Sequence, residues 1–231
     1  MPEDRLSRIL AELKAKSAGD RLPTHLCEVA TEIIGVTGAG VMLMSGDVPQ
    51  GSLCTTDSVS SLIEELQYTL GQGPCIDSFR QDQVVHEPDL AHPAMPRWLA
   101  FTPPALKAGV RAVFGFPLRV GSARLGALNL YQDQPGPLST EEHADALVMA
   151  QIIAHWVIDT QASASPETME RLLKSGADFH FVVHNAAGMV SVQLGVSITE
   201  ALIRLRGEAF AENRLVRDVA GDVVTRRVSF A

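Results

Sequence analysis

The sequence VRAVFGFPLRVGSARLGALNLYQ, residues 110–132, contains the two longest strands that we predict for this protein. One strand covers Val110–Val120 and the other covers Arg124–Gln132, and both are rich in valine, leucine and aromatic residues. Gly121 and Ser122 lie between them and predict a tight turn, because glycine readily adopts the backbone conformation that joins paired strands. The centre of the chain is therefore predicted to be an antiparallel hairpin.

Shorter strands and several helices surround this hairpin. The additional strands are predicted at residues 40–45, 51–55 and 84–87. Helices are predicted over residues 3–16, after Pro23, over Ser58–Leu70, and from a capping box at Ser139 and Glu142 to about Ile158. This order is typical of an α+β fold, with one antiparallel sheet and helices around it.

The helix over Ser58–Leu70 has a clear amphipathic pattern. Leu62, Ile63 and Leu66 share one side and are expected to face the core. Glu64 and Glu65 are expected to face outward, since unpaired carboxylates are seldom buried. Ser58 is the expected N-cap of this helix.

The chain divides at the small and polar segment QASASP, residues 161–166. We predict four parts: an N-terminal helix at residues 1–20, a sensor domain at 21–160, a linker or connecting helix at 161–177, and a C-terminal module at 178–231. The length of 231 residues is sufficient for two small domains, each with its own core.

Residues 21–160 resemble a GAF domain. The resemblance rests on LGQGPCIDSF (residues 70–79), on FPLRVGSARLGALNLYQ (residues 116–132) and on the helix that follows. It implies a GAF-like antiparallel sheet with flanking helices. Such a domain either senses a signal, through a small molecule bound between the sheet and its covering segments, or serves only as a dimerisation scaffold. In this chain residues 54–101 would form the wall of that pocket, and the expected pocket side chains are Cys54, Cys75, Phe79, Trp98 and Phe101.

The C-terminal module is predicted to contain three helices. The first ends at Gly195, and a second capping box at Ser197 and Glu200 opens the next helix. Asn213 is the expected N-cap of the third helix. The second and third helices are expected to bury Ile198, Ala201, Leu202, Leu205, Ala209, Leu215, Val216, Val219, Ala220, Val223 and Val224.

The stretch AAGMVSVQLGVSITEALIRLRGEAFAENRLVRDVAGDVV, residues 186–224, closely resembles an ANTAR domain, an RNA-binding three-helix bundle. A GAF domain followed by an ANTAR domain is a familiar order among actinobacterial regulators. The resemblance implies that dimers bind paired stem-loops in a nascent leader transcript and prevent formation of a terminator hairpin, which is transcription antitermination. It also implies an RNA-facing set at the matching positions: Arg204, Arg206, Phe210, Asn213, Arg214 and Arg217.

Each of these side chains has a plainer alternative role. Phe210 could close the corner between the second and third helices, and Asn213 could act only as a cap. Arg214 and Arg217 could form a solvated face. Arg204 and Arg206 are about 200° apart on a helix, so they are not expected to contact one ligand together.

The charge distribution makes dimerisation part of the RNA-binding hypothesis. The whole chain carries −8, but residues 181–231 hold six arginines and five acids, which gives +1 and leaves −9 for the remainder. A module with so little positive charge is expected to bind RNA as one half of a homodimer. The apolar residues Leu147, Met149, Ala150, Ile153 and Val157 could form either a core stripe or the dimer seam.

The three cysteines, Cys27, Cys54 and Cys75, are odd in number and form no CxxC pair. We therefore predict three reduced thiols, with neither a disulfide framework nor a zinc site. The alternative function is a GAF-fold enzyme similar to the free-methionine sulfoxide reductases, which would use these cysteines. No phosphate-binding glycine loop or Ser-His-Asp signature is visible, so we predict no catalytic activity, no cofactor and no metal.

The N-terminal sequence MPED is acidic and lacks the features of a secretory signal. No apolar run approaches the roughly 20 residues of a membrane span. We therefore predict a cytoplasmic protein without a membrane partner.

Overall fold

Five strands form one antiparallel sheet in the order β2-β1-β5-β4-β3. The structure is a computed structural model that describes residues 2–16, 22–46, 48–163, 178–212 and 214–230. The strands are β1 (Gly38–Ser45), β2 (Val48–Thr55), β3 (Val85–Glu87), β4 (Ala112–Val120) and β5 (Ala123–Gln132). This sheet, with helices on both faces, confirms the predicted α+β class.

The predicted central hairpin is confirmed. Strands β4 and β5 pair in antiparallel register from Ala112 opposite Gln132 to Val120 opposite Ala123. Gly121 lies at the turn with φ of +58°, in the left-handed region that favours glycine. Strand β5 also pairs with β1, so it lies in the middle of the sheet.

Three helices cover one face of the sheet: α1 (Pro2–Lys16), α2 (Leu22–Ile34) and α6 (Thr140–Ser163). The predicted capping box of α6 is confirmed, because the Ser139 amide donates to Glu142 Oε2 at 2.6 Å and the Glu142 amide donates to Ser139 Oγ at 3.3 Å. Helix α6 continues to Ser163, five residues beyond its predicted end. The apolar stripe of α6 belongs to the core, where Met149, Ala150, Ile153 and Val157 are buried; Leu147 is exposed.

Helices α3 (Ser58–Leu70), α4 (Pro74–Gln81) and α5 (Thr102–Lys107) lie on the other side of the sheet. The N-cap of α3 is Asp57 and not Ser58; Asp57 Oδ1 accepts a hydrogen bond from the Ser60 amide at 2.6 Å. The prediction that Glu64 and Glu65 face outward is wrong, since both are buried. Helix α3 packs against the sheet on one side and against the C-terminal helices on another, so little of its surface faces solvent.

The C-terminal helices are α7 (Asp178–Leu194), α8 (Ile198–Ala211) and α9 (Val216–Val224), and each contacts the other two. Gly195 follows α7 with φ of +65°, as predicted. Only half of the second capping box forms: Ser197 Oγ accepts from the Glu200 amide at 3.2 Å, whereas the Glu200 carboxylate accepts from Arg204. The apolar core of the three helices contains Val183, Ala186, Ala187, Val190, Ala201, Leu202, Leu205, Ala209, Val216, Val219, Ala220 and Val223.

Three details of the C-terminal prediction are wrong. Helix α9 begins at Val216 with Leu215 in the N-cap position, so the cap is not at Asn213, which lies outside the described residues. Ile198 and Val224 were expected to be buried but are 56% and 37% exposed. These two are the terminal residues of their helices, where packing against the neighbouring helices ends.

Within the described ranges, no single helix is long and apolar enough to cross a membrane. Among the described helices, one bent pair has the length and composition of a broken span: Val182–Leu194 and Ile198–Ala211, with 105° between its halves. These segments are the same α7 and α8 whose apolar sides build the C-terminal core.

Candidate functional site

The predicted pocket residues do not lie together, because Cys54 is on the opposite face of the sheet from the others. Cys54 forms a disulfide with Cys27, and their Cα atoms are 6.0 Å apart. Helix α2 packs against β2, and this packing brings together two cysteines that are 27 residues apart in sequence. The prediction of three reduced thiols is therefore wrong for this pair, as is the placement of Cys54 in the pocket.

The other four predicted pocket residues are buried in apolar packing. Cys75, a free thiol, and Phe79 lie on α4. Trp98 packs edge-on against Phe101 with ring centroids 6.0 Å apart, and its Nε1 donates to Asp77 Oδ2 at 2.7 Å. None of the four lines the small cavity that the structure shows between α3 and the sheet.

That cavity has a volume of about 10 Å³ and is built around the Glu64 carboxyl group. Asn129 Nδ2 donates to Glu64 Oε1 at 2.5 Å, in fully buried surroundings. Among the described residues, Glu64 Oε2 and Asn129 Oδ1 have no hydrogen-bond partner. A space of this size holds about one water molecule, which would hydrogen-bond to both of these oxygens.

The cavity depends on a glycine opposite the asparagine. Gly40 on β1 is paired in register with Asn129 on β5. A Cβ at residue 40 would lie 2.7 Å from Glu64 Oε1, so a larger residue would displace the carboxyl group. An asparagine within an apolar strand, with a glycine predicted on a neighbouring strand, is the signal that sequence reasoning missed.

Burial raises the pKa of Glu64 from an ordinary value of 4.5 to about 8, against the opposing effect of the hydrogen bond from Asn129. The carboxyl group is therefore protonated and neutral at pH 7. Burial, together with the nearby Glu64, also raises the pKa of the Cys75 thiol well above its ordinary value. A neutral, buried thiol is a poor nucleophile, so Cys75 has the properties of a packing residue.

We expect Glu64→Gln to flatten the pH dependence of stability. The folded protein holds the Glu64 proton between pH 4.5 and 8 and the unfolded chain does not, so stability falls as pH rises through this window. Glutamine has no proton to lose. Between pH 5 and pH 8 the free energy of unfolding of the wild type should therefore fall by roughly 3 kcal/mol more than that of the variant. Urea unfolding at the two pH values measures this, with the exposed Glu12→Gln as the control. Parallel curves for wild type and Glu64→Gln would contradict the assignment.

A second group of contacts joins the outer side of α3 to the C-terminal helices, and we call it the α3 interface. The Arg206 guanidinium lies 4.8 Å from the centre of the Tyr68 ring. Arg217 Nη1 lies 2.9 Å from Glu65 Oε2, and the Val216 amide donates to Thr69 Oγ1 at 3.3 Å. Two arginines of the predicted RNA-facing set therefore contact the sheet domain.

The charges in the α3 interface are incompletely paired. Burial lowers the pKa of Arg206, and its Nε and Nη2 have no hydrogen-bond partner within the described residues. Burial raises the pKa of Glu65 to about 7, although the Arg217 charge lowers it and Asp218 raises it further. The interface thus holds a buried cation without a full set of acceptors, an arrangement that usually costs stability.

The remaining predicted RNA-facing residues are outside this interface. Phe210 is 63% exposed, so it does not close the corner between α8 and α9. Arg214 lies at the same corner, because its amide donates to the Ala209 carbonyl at 2.8 Å. Its guanidinium donates hydrogen bonds to Glu212 Oε2 at 2.7 Å and to Asp222 Oδ2 at 2.5 Å.

The last two predicted RNA-facing residues are Arg204 and Asn213. Arg204 is exposed and pairs with Glu200 at 3.1 Å, and Asn213 lies outside the described residues.

Among the described residues, no three His, Cys, Asp or Glu side chains are arranged to hold a metal ion. Three polar features of the described residues involve the predicted site residues or helix α3: the Glu64 cavity on the inner side of α3, the α3 interface on its outer side, and the exposed corner with Phe210 and Arg214.

Comparison with known proteins supplies the family. The family model described as the GAF domain matches residues 20–154. The GAF domain of a phosphoenolpyruvate-protein phosphotransferase from Coxiella burnetii is 16% identical, with a TM-score of 0.52 over 70% of this chain and 95% of that chain. The GAF domain of the Acinetobacter phosphoenolpyruvate-protein phosphotransferase is 12% identical, with a TM-score of 0.50 over 71% and 96%. No curated protein matches the sequence. At these identities the likeness to solved structures concerns the fold alone.

Proposed function

The chain belongs to the GAF domain family through residues 20–154, and we propose that it is an RNA-binding regulator of transcription antitermination. In this proposal the GAF domain receives a signal, and helices α7–α9 act as an ANTAR domain that binds stem-loops in a nascent leader transcript. The observation that carries the proposal is the corner between α8 and α9, which carries both the exposed Phe210 and Arg214.

The chemistry of this corner suits RNA loops. Unpaired RNA bases stack on aromatic rings and on guanidinium planes, and phosphates bind arginine through paired hydrogen bonds. Phe210 is 63% exposed and therefore offers an aromatic face to solvent on which a base can stack. Arg214 is held by Glu212 and Asp222 near the surface. Ion pairs in such positions are weak, so a phosphate can replace one of these partners.

The slight positive charge of the C-terminal part supports a homodimer as the active form. With +1 on residues 181–231, one module offers few phosphate contacts. Two modules on one leader transcript with paired stem-loops would double the contacts and make the second binding step intramolecular.

The signal would enter at the Glu64 cavity. With about 10 Å³ the cavity accommodates no more than a water molecule, so a larger ligand would have to displace α3 or the segments that cover it. We assign no catalytic step to this domain. Cys75 is a neutral buried thiol, and the Cys27–Cys54 bond lies on the other face of the sheet. A nascent transcript is a cytoplasmic target, so the proposal places the protein in the cytoplasm.

We expect the full chain to bind a leader RNA with two stem-loops in a gel-shift assay, and Phe210→Ala/Arg214→Ala to weaken that binding at least tenfold. Loss of one stacked base costs about 1–3 kcal/mol, and loss of a phosphate contact should also reduce the salt slope by about one. Arg80→Ala removes the same charge from an exposed position on α4 and should bind as the wild type does. Equal affinity of the double variant and the wild type would overturn the assignment of this corner.

A further inference from the structure

Helix α3 carries two functional features on two of its sides. Glu64 points into the sheet and forms the small cavity with Asn129. Glu65, the next residue and about 100° further round the helix, points to the C-terminal helices. Tyr68 and Thr69 lie one turn later, on the same side as Glu65, and complete the α3 interface.

We propose that the α3 interface is an autoinhibitory contact, in which the GAF domain holds Arg206 and Arg217 away from RNA until α3 moves. The inference rests on the proposed function and adds its regulation. Both arginines lie on the helices that form the exposed corner: Arg206 is one turn before Phe210 on α8, and Arg217 is in the first turn of α9. With these two side chains against α3, only part of the corner is open to a ligand.

The contact has the properties of a closed state that can open. The Arg206 guanidinium is buried against the Tyr68 ring but has two nitrogens without acceptors among the described residues. Glu65 pairs with Arg217 through Oε2, whereas its buried Oε1 has no partner in the part of the chain that the structure describes. Phosphate oxygens of RNA would supply the acceptors that Arg206 lacks within the described residues, and they would replace Glu65 as the partner of the half-exposed Arg217. The docked and RNA-bound states therefore compete for the same two cations.

The cavity and the interface are coupled through one rigid element. A ligand larger than water has no room beside Glu64 unless α3 shifts away from the sheet. Such a shift changes the positions of Glu65, Tyr68 and Thr69, which lie on the same helix. A ligand that prefers the shifted position would thus favour the undocked state by its differential affinity for the two arrangements.

The test compares RNA affinity in three full-length proteins: wild type, Glu65→Gln/Thr69→Val, and Glu12→Gln. The double variant removes the ion pair and the hydrogen-bond acceptor from the GAF side and leaves every residue of α8 and α9 unchanged. Glu12 is an exposed residue of α1, and its variant controls for the loss of one negative charge. We expect the double variant to bind the two-stem-loop RNA about tenfold more tightly, and Glu12→Gln to bind as the wild type does.

Equal affinity of wild type and double variant overturns autoinhibition while leaving RNA binding intact. The same gain in Glu12→Gln also overturns it, since the effect would then be one of net charge. If no protein binds RNA, the proposed function fails and this inference fails with it.

Hydrogen exchange gives a second readout. We expect the amides of α3 and of Val216 to exchange faster in the RNA-bound wild type, and in the RNA-free double variant, than in the free wild type. Unchanged protection of α3 and Val216 on RNA binding would contradict the competition, because RNA would then bind to the docked state.

Discussion

Gly126→Ala is expected to destabilise the GAF domain by about 4 kcal/mol, near the upper end of what a single substitution does. Gly126 lies on β5, opposite Leu43 of β1. A Cβ there would lie 1.9 Å from the Met42 carbonyl oxygen and 3.0 Å from Leu43 Cα. Both are backbone atoms of a paired strand, so relief requires β1 and β5 to separate. The candidate site would be lost as well, because Asn129 and Gly40 face each other across the same pair of strands.

Urea unfolding followed by circular dichroism measures this effect. Gly121→Ala is the matched control, since the turn glycine of the same hairpin has open space around it and only its left-handed backbone is unfavourable to alanine. That control should cost only about 1–2 kcal/mol. Similar losses in the two variants would mean that β1 and β5 approach less closely than described.

The hairpin was predictable because its information is local. The apolar strands and the Gly121–Ser122 turn specify the pairing of β4 and β5 without reference to the rest of the chain. The capping residues of α6 were predictable for the same reason. A serine and a glutamate three residues apart each accept a hydrogen bond from the other's backbone amide. One such prediction was displaced by a residue, since Asp57 and Ser58 are both good N-caps and the sequence does not rank them.

The candidate site was missed because it depends on contacts between distant segments. Glu64 and Glu65 were assigned to solvent by the usual behaviour of carboxylates, but α3 is covered by the sheet and by the C-terminal helices. Their partners, Asn129 and Arg217, are 65 and 152 residues away along the chain, and no periodicity within α3 reveals either of them. Arg206 was predicted to face RNA by resemblance, whereas its position against Tyr68 follows only from the packing of α8 on α3.

Reduction of the Cys27–Cys54 disulfide is expected to lower the stability of the GAF domain by about 2–4 kcal/mol. The bond closes a loop between residues that are 27 apart in sequence, and loss of such a cross-link increases the entropy of the unfolded chain by about this amount. Urea unfolding with and without reductant measures the loss. The Cys75→Ala variant is the control, because it keeps the Cys27–Cys54 disulfide. Reduction should lower its stability by the same amount as that of the wild type.

Thiol titration in denaturant tests the bond directly. One thiol, that of Cys75, should react before reduction and three should react afterwards. Three reactive thiols in the unreduced, denatured protein would show that the bond does not form.

The position of the disulfide decides its expected effect on RNA binding. Disulfides are rare in the cytoplasm, where the proposed target RNA is made. Cys27 and Cys54 lie in the apolar cluster on the α2 and α6 face of the sheet, whereas the α3 interface is on the other side. Reduced thiols pack as small apolar groups, so α2 and β2 should remain in contact without the bond. We therefore expect RNA affinity to be the same in the oxidised and reduced proteins at 25 °C, although the reduced protein unfolds at lower urea. A reduced protein that binds RNA tenfold more tightly would instead link the disulfide to the release of α3.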